Sequence, residues 1–233
     1  MTSPALKTAI TGLFTGKIQT PWRDKPASAI HKTAVSGKQV ITSLGFENDA
    51  QADLRVHGGA DKALHHYAAD HYAAWQKEGM IPQDQTPAAF GENISTFGLT
   101  EDQICIGDIF HFGSALIQIS QGRQPCWKLN AYTANDAMAY QFRKSGRTGW
   151  YYRVLETGSV AVEDEIKLVD RPNPSWTVAF VTRARLSRKI SAENARELAR
   201  VAELADGWRT AFEAMAAGQT HENTDRRLKG PSI

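Results

Sequence analysis

The most reactive arrangement in this chain is a cysteine set among cationic and amide side chains. Cys126 falls in Gln121-Gly122-Arg123-Gln124-Pro125-Cys126-Trp127-Lys128. Positive charge on Arg123 and Lys128 favours the thiolate of a neighbouring thiol, and a thiolate either attacks electrophiles or ligates soft metals. Pro125 fixes the backbone just before the thiol and biases Gln124 away from helix, so the sulfur is held in place. The competing reading is a half-buried structural cysteine, because free Cys often packs as a small hydrophobe. Cys105, in the β-like run Gln103-Ile104-Cys105-Ile106-Gly107-Asp108, is assigned that structural part.

Two further stretches carry polar chemistry. In Val56-His57-Gly58-Gly59-Ala60-Asp61-Lys62-Ala63-Leu64, Gly58 and Gly59 allow close backbone approach to a ligand. Asp61 could cap a helix starting near Lys62, and a glycine loop before a helix amino terminus suits an anion. No complete P-loop or G-x-G-x-x-G spacing is present, so an ordinary turn reads equally well. His57, His65, His66 and His71 do not form the H-E-x-x-H pattern of zinc hydrolases. Phe90-Gly91-Glu92-Asn93-Ile94 places an acid and an amide after a glycine, either as a satisfied structural acid or as a polar pocket rim. Glu47, Asp49 and Asp53 lack the offsets of a calcium loop and read as a solvated turn.

These groups need a scaffold. Ser114–Gln121 alternates as a strand, with Leu116, Gln118 and Ser120 on one face and Ile117, Ile119 and Gln121 on the other, so that Gln121 and the cysteine loop reach a sheet edge or barrel rim. The segment 13–43 reads as short strands, with Ser36-Gly37-Lys38 as a hairpin turn between Ile30–Val35 and Gln39–Ser43. The pattern Ala63, Tyr67, Ala74 predicts a helix from Lys62 through Trp75, and a second helix spans Asn135–Lys144 before a return to β at 146–154. Arg171-Pro172-Asn173-Pro174-Ser175 marks an extended linker. Beyond it, Trp176–Leu186, Ser191–Ala205 and Gly207–Ala217 read as three helices, Ser191 serving as a cap, and residues 221–233 read as a polar, mobile tail. The organisation is thus a β domain over 1–171, a three-helix domain over 176–220 and the tail.

Composition narrows the function classes. The 233 residues are 42% hydrophobic and 22% charged, those of an ordinary globular chain. A net charge of +2 points to neither nucleic acid nor a membrane surface as partner and leaves room for a local basic pocket. No run approaches the roughly 20 apolar residues of a membrane span. Two cysteines make no disulfide framework and Met1–Lys7 lacks a secretory segment, so a cytoplasmic location is expected.

Taken in order, Val56–Leu64, Phe90–Ser95, Gly107-Asp108-Ile109-Phe110 and Gln118–Leu129 resemble MOSC-domain proteins of the bacterial YiiM type, over roughly residues 16–169, with the helices after Trp176 resembling that branch's helical extension. Gly122 and Trp127 stand where close relatives often have Pro and Tyr. The resemblance implies a mainly β fold, a β-barrel core with peripheral helices plus the small C-terminal helical domain. It also implies molybdenum cofactor (molybdopterin), with Cys126 as the protein ligand to molybdenum. The implied activity is reduction of N-hydroxylated compounds such as hydroxylaminopurines and amidoximes, with electrons from a separate flavin-containing reductase. The cofactor would be held by Gly58, Gly59, Lys62, Asn93, Gln121, Arg123 and Lys128, and His57, Glu92 or water would supply protons. A cofactor carrier or sulfur-transfer module without turnover, and a cysteine-nucleophile hydrolase pairing Cys126 with a histidine, are the alternatives.

Overall fold

The computed structural model describes residues 6–230. Its first strand, β1 (Lys7–Gly16), is long enough to serve several neighbours. The others follow as β2 (Lys32–Ala34), β3 (Gln39–Thr42), β4 (Gly45–Phe46), β5 (Leu64–Ala68), β6 (Ile94–Thr96), β7 (Ile109–Phe112), β8 (Ala115–Gly122), β9 (Trp150–Glu156), β10 (Gly158–Val160) and β11 (Glu165–Asp170). The order β11-β7-β8-β9-β5-β6-β1 closes through a β1–β11 pairing, giving a seven-stranded barrel with β2 appended to β1. Only the β5–β6 pair of the barrel is parallel. Closure leaves no free edge in the ring, and the inward side chains fill it. Leu13, Leu64, Ile94, Phe110, Ile117, Ile119, Trp150 and Tyr152 are all within 1% of complete burial.

The helices are α1 (Leu54–His57), α2 (Asp70–Lys77), α3 (Trp127–Thr133), α4 (Met138–Ser145), α5 (Val178–Ser187), α6 (Ala192–Ala199), α7 (Asp206–Ala216) and α8 (Asp225–Lys229). The Ser191 hydroxyl caps α6 by accepting from the Asn194 amide at 3.1 Å, as its position in the sequence predicts. Helices α5–α7 share one apolar cluster with the barrel: Val178, Val181, Leu198, Trp208 and Phe212 join Phe110, Ile117 and Tyr152. The segment before them is pinned. Arg171 grips the Asp108 carboxylate at 2.7 and 2.9 Å, and Asn173 donates to Ile106 O and Glu203. The extended linker is therefore also a brace between barrel and helices.

Several expectations are corrected. The predicted helix from Lys62 to Trp75 is a 3-10 turn (Ala60–Lys62), then strand β5, then α2. Leu64–Ala68 is buried on both faces between β9 and β6, so its apolar spacing carries no helical information, and tertiary pairing overrides propensity. The hairpin expected around Gly37 does not form: β2 pairs with β1, whereas β3 joins β10 and β4 in a separate small sheet. Cys126 leads directly into α3, whereas the sequence predicts only a loop there. The tail contains α8, whose Leu228 packs against the cluster of Tyr67, Trp75, Phe90 and Phe142.

Candidate functional site

Strand β8 ends at Gly122, and the Arg123 amide extends its ladder by donating to Gly149 O at 3.0 Å. Cys126 then sits half-buried in extended backbone at the start of α3. It lines a cleft that opens to solvent. His57, Lys62, Asn93, Arg123 and Lys128 line the same cleft, so residues from distant segments converge on the thiol.

The His57 imidazole comes from the end of α1, and its Nε2 lies 3.7 Å from Cys126 Sγ. Burial pushes its pKa down to about 4, and the positive charges of Lys128, Arg123 and Lys62 push in the same direction. The ring is therefore neutral at pH 7. Among the described residues, the buried His57 Nδ1 has no hydrogen-bond partner. Arg123 is 6% exposed and donates through Nη1 to Phe90 O at 2.6 Å while its guanidinium lies over the Phe142 ring. Lys62 donates to Val56 O at 2.7 Å, and Lys128 to Ala27 O at 3.3 Å. Burial lowers the pKa of both; Asp61 opposes it at Lys62, and Cys126 and Asp53 oppose it at Lys128.

Four of the expected site residues lie outside the cleft. Glu92 is completely buried and accepts from Tyr72 Oη at 2.5 Å, Ala88 N at 2.7 Å and Phe90 N at 3.0 Å. Its carboxylate is satisfied away from the cleft and shapes the turn that delivers Gly91 and Asn93 to it. Gly58 and Gly59 form the turn that carries Lys62, with Gly59 O accepting from Lys62 N, and do not line the cleft. Because only a three-residue 3-10 turn follows them, the expected helix amino terminus at Lys62 is absent. Gln121 is displaced by a bulge: β8 uses Ile119 and Gln121 against Tyr152 and Tyr151 of β9, one residue too many, which breaks the alternation. Its amide bonds to Gly122 O instead.

Lys32 carries no sequence signal, and Asp49, expected in a solvated turn, is buried. Their side chains are 6% and 1% exposed and meet at 2.6 Å on the cleft wall. Asp49 also accepts from Gly16 N and from Asn93 Nδ2, which fixes Asn93 in place. Burial lowers the Lys32 pKa while Asp49 opposes the shift. No sequence signal marks this pair, because its register comes from β2 lying on the far end of β1. His65 also lines the cleft; its pKa is held well below the usual value by burial and then by Arg123. Cys105 is 2% exposed, its Sγ 3.5 Å from Pro174 O, far from this chemistry.

Among the described residues, no group of three or more His, Cys, Asp or Glu could hold a bare metal ion. Cys126 stands as a single soft ligand among cations and neutral imidazole nitrogens. Such a donor set fits a metal that arrives with most of its ligands on an anionic organic carrier, and the buried, unpartnered His57 Nδ1 is one polar atom such a carrier could satisfy. No helix among the described residues is long and apolar enough to cross a membrane.

Comparison with known proteins agrees with this architecture. Residues 53–167 match the MOSC domain, and residues 176–218 match the YiiM-like, 3-alpha helix domain. The chain is 38% identical to protein YiiM of Escherichia coli, over 94% of this chain and 97% of that protein. The crystal structure of YiiM from Escherichia coli superposes with a TM-score of 0.77 at 32% identity, covering 96% of this chain and 98% of that one. A Gibberella moniliformis protein named "Reductase" is 36% identical over 70% of this chain, which spans 29% of its length.

Proposed function

This chain belongs to the MOSC-domain proteins, in the branch with a YiiM-like three-helix domain, and from that membership we propose that it is a molybdenum cofactor-dependent reductase of N-hydroxylated compounds. The observation that carries the reading is one thiol, Cys126, on a cleft lined by four cationic side chains, Lys32, Lys62, Arg123 and Lys128. The name of the fungal relative supports the reductase assignment.

Cys126 would ligate molybdenum through its thiolate, the form soft metals prefer. Lys62, Arg123 and Lys128 would hold the anionic end of the cofactor by charge-assisted hydrogen bonds, and Asn93, fixed by Asp49, would present its amide. When bound, the cofactor supplies the two-electron chemistry that removes oxygen from an N–OH group. The balance is R–NHOH + 2 e⁻ + 2 H⁺ → R–NH₂ + H₂O, with electrons from a separate flavin-containing reductase. Neutral His57 carries one ring proton, which it can direct at the Cys126 sulfur or toward substrate; Glu92, sealed from the cleft, is not placed to donate one.

The His57–Cys126 contact also favours a cysteine nucleophile. A cysteine–histidine dyad needs an imidazolium beside the thiolate and a third group to orient the ring. Burial and three cations disfavour the imidazolium, and among the described residues Nδ1 has no orienting partner. Elemental analysis of the purified protein, followed by reduction of a hydroxylaminopurine with an artificial electron donor, separates the readings. Stoichiometric molybdenum with turnover is expected; molybdenum without turnover indicates a carrier, and thiol-dependent hydrolysis without molybdenum indicates the nucleophile.

A further inference from the structure

The C-terminal segment bears on the Cys126 loop. From Gln219 the chain crosses α5 and then reaches α3. Glu222 receives a bidentate bond from Arg185, at 2.5 and 3.3 Å, and lies 3.3 Å from Arg188 and 3.5 Å from Arg227. One carboxylate thus gathers three guanidiniums. With its amide oxygen turned toward these donors, as their positions require, Gln124 accepts from Arg227 Nη1 at 2.7 Å and Arg185 Nη2 at 3.2 Å. Gln124 is two residues before Cys126. On the other side of the thiol, Gly230 lies against Trp127, so close that a β-carbon there would come within 3.2 Å of the indole Cγ. Further ties hold the segment down: Arg143 to Thr224, Arg188 to Gln219 O, and Leu228 in the aromatic cluster.

We propose that residues 219–230 form a clasp over the cysteine loop and that Glu222 is a positioning residue, acting through Arg185 and Arg227 on Gln124 to fix the Cys126 sulfur. Without the Glu222 charge, Arg185, Arg188 and Arg227 repel one another, the Gln124 oxygen loses its aligned donors, and the loop is released on both sides of the thiol. The inference takes from the proposed function only that Cys126 is the working group. Its test reads the position of the thiol directly.

The experiment measures alkylation of Cys126 by iodoacetamide in a Cys105→Ser background, at a pH high enough that the rate no longer rises with pH, so that thiol access rather than ionisation is read. Glu222→Gln should raise this plateau rate at least about fivefold, the factor that roughly 1 kcal/mol of lost closure gives. Glu222→Asp, which keeps the charge, should stay near the native rate. A folded Glu222→Gln protein alkylated at the native rate, or equal rates for the Gln and Asp variants, overturns the proposal. If Glu222→Gln does not fold, native-state hydrogen exchange on the unmodified chain decides. Amides of 124–130 and 222–230 should then open together, and opening of the tail with 124–130 still protected overturns the clasp. Native alkylation with full molybdenum would sink the clasp alone; missing molybdenum with accelerated alkylation would sink the reductase reading alone.

Discussion

Cys126 Sγ and His57 Nε2 meet at 3.7 Å across 69 residues of sequence, joining the start of α3 to the end of α1. The thiol caps no helix amide, so its replacement leaves the fold intact. Cys126→Ser is expected to melt near the native temperature and to lose both molybdenum and N-hydroxy reduction. Cys105→Ser should keep both at a cost of no more than about 1 kcal/mol, because the hydroxyl can donate to Pro174 O in place of the thiol. Molybdenum per chain and thermal melts check the pair; a folded Cys105 variant without metal would reverse the assignment.

The three cations should separate. Lys62 and Lys128 contact the fold through one backbone carbonyl each, so Lys62→Ala and Lys128→Ala should lower molybdenum content more than melting temperature. Arg123 also supports the turn at Phe90, so Arg123→Ala should lose about 1.5–3 kcal/mol of stability along with the cofactor. Unchanged metal in all three variants would remove the case for a cationic cofactor cradle.

Asp49→Asn leaves the buried Lys32 ammonium without its counter-charge. Breaking such a pair typically costs about 3–5 kcal/mol. Urea denaturation should show a loss of that order, and a loss under 1 kcal/mol would mean that water reaches Lys32.

Acid should weaken the fold through its buried histidines. His66, bonded to Tyr152 Oη and Thr96 Oγ1, is held neutral by burial with a pKa of about 3. Above pH 6.5 neither the folded nor the unfolded form carries this proton, so nothing is lost. Between 6.5 and about 3 only the unfolded chain binds it, and each such histidine removes up to about 1.4 kcal/mol per pH unit as pH falls. His57, at about 4, acts the same way over a shorter window. Stability measured from pH 7 to 4 should fall, and His66→Gln should flatten the slope; a slope unchanged in that variant would contradict the buried neutral ring.

Gly122 is held by the three-helix segment. A β-carbon there would lie 1.9 Å from Thr182 Oγ1 and 3.1 Å from Trp208, so the close packing of α5 and α7 against β8 requires glycine. Gly122→Ala should cost about 1–3 kcal/mol by overpacking. Adding Thr182→Ala should recover part of it in a double-mutant cycle, whereas strictly additive losses would place the strain elsewhere.

The cysteine loop was legible because its chemistry is local: thiol, proline and cations lie within six residues. The strand Ala115–Gly122 was legible from its alternation. What stayed hidden was made by long-range pairing. Leu64–Ala68 looked helical because burial on both faces erases the period of two. Asp49 looked solvated because its partner Lys32 arrives through β-sheet register. Glu92 looked available because the Tyr72 hydroxyl and the two amides that occupy it belong to no motif. The partner of His57 is not legible in the sequence because only the fold brings α1 beside α3.

The pairing of β1 with β11, Lys7 opposite Lys167, has a consequence for how the chain comes to be folded. Synthesis makes β1 well before its closing partner, with the other strands of the barrel between them. Until then β1 and β7 each lack a neighbour, and the nascent chain presents two open strand edges of the kind that join with other molecules. Closure over so wide a sequence separation is slow. A ribosome stalled before Glu165 therefore releases an open sheet prone to aggregate, and rapid production of this protein should be limited by how well chaperones shield that interval.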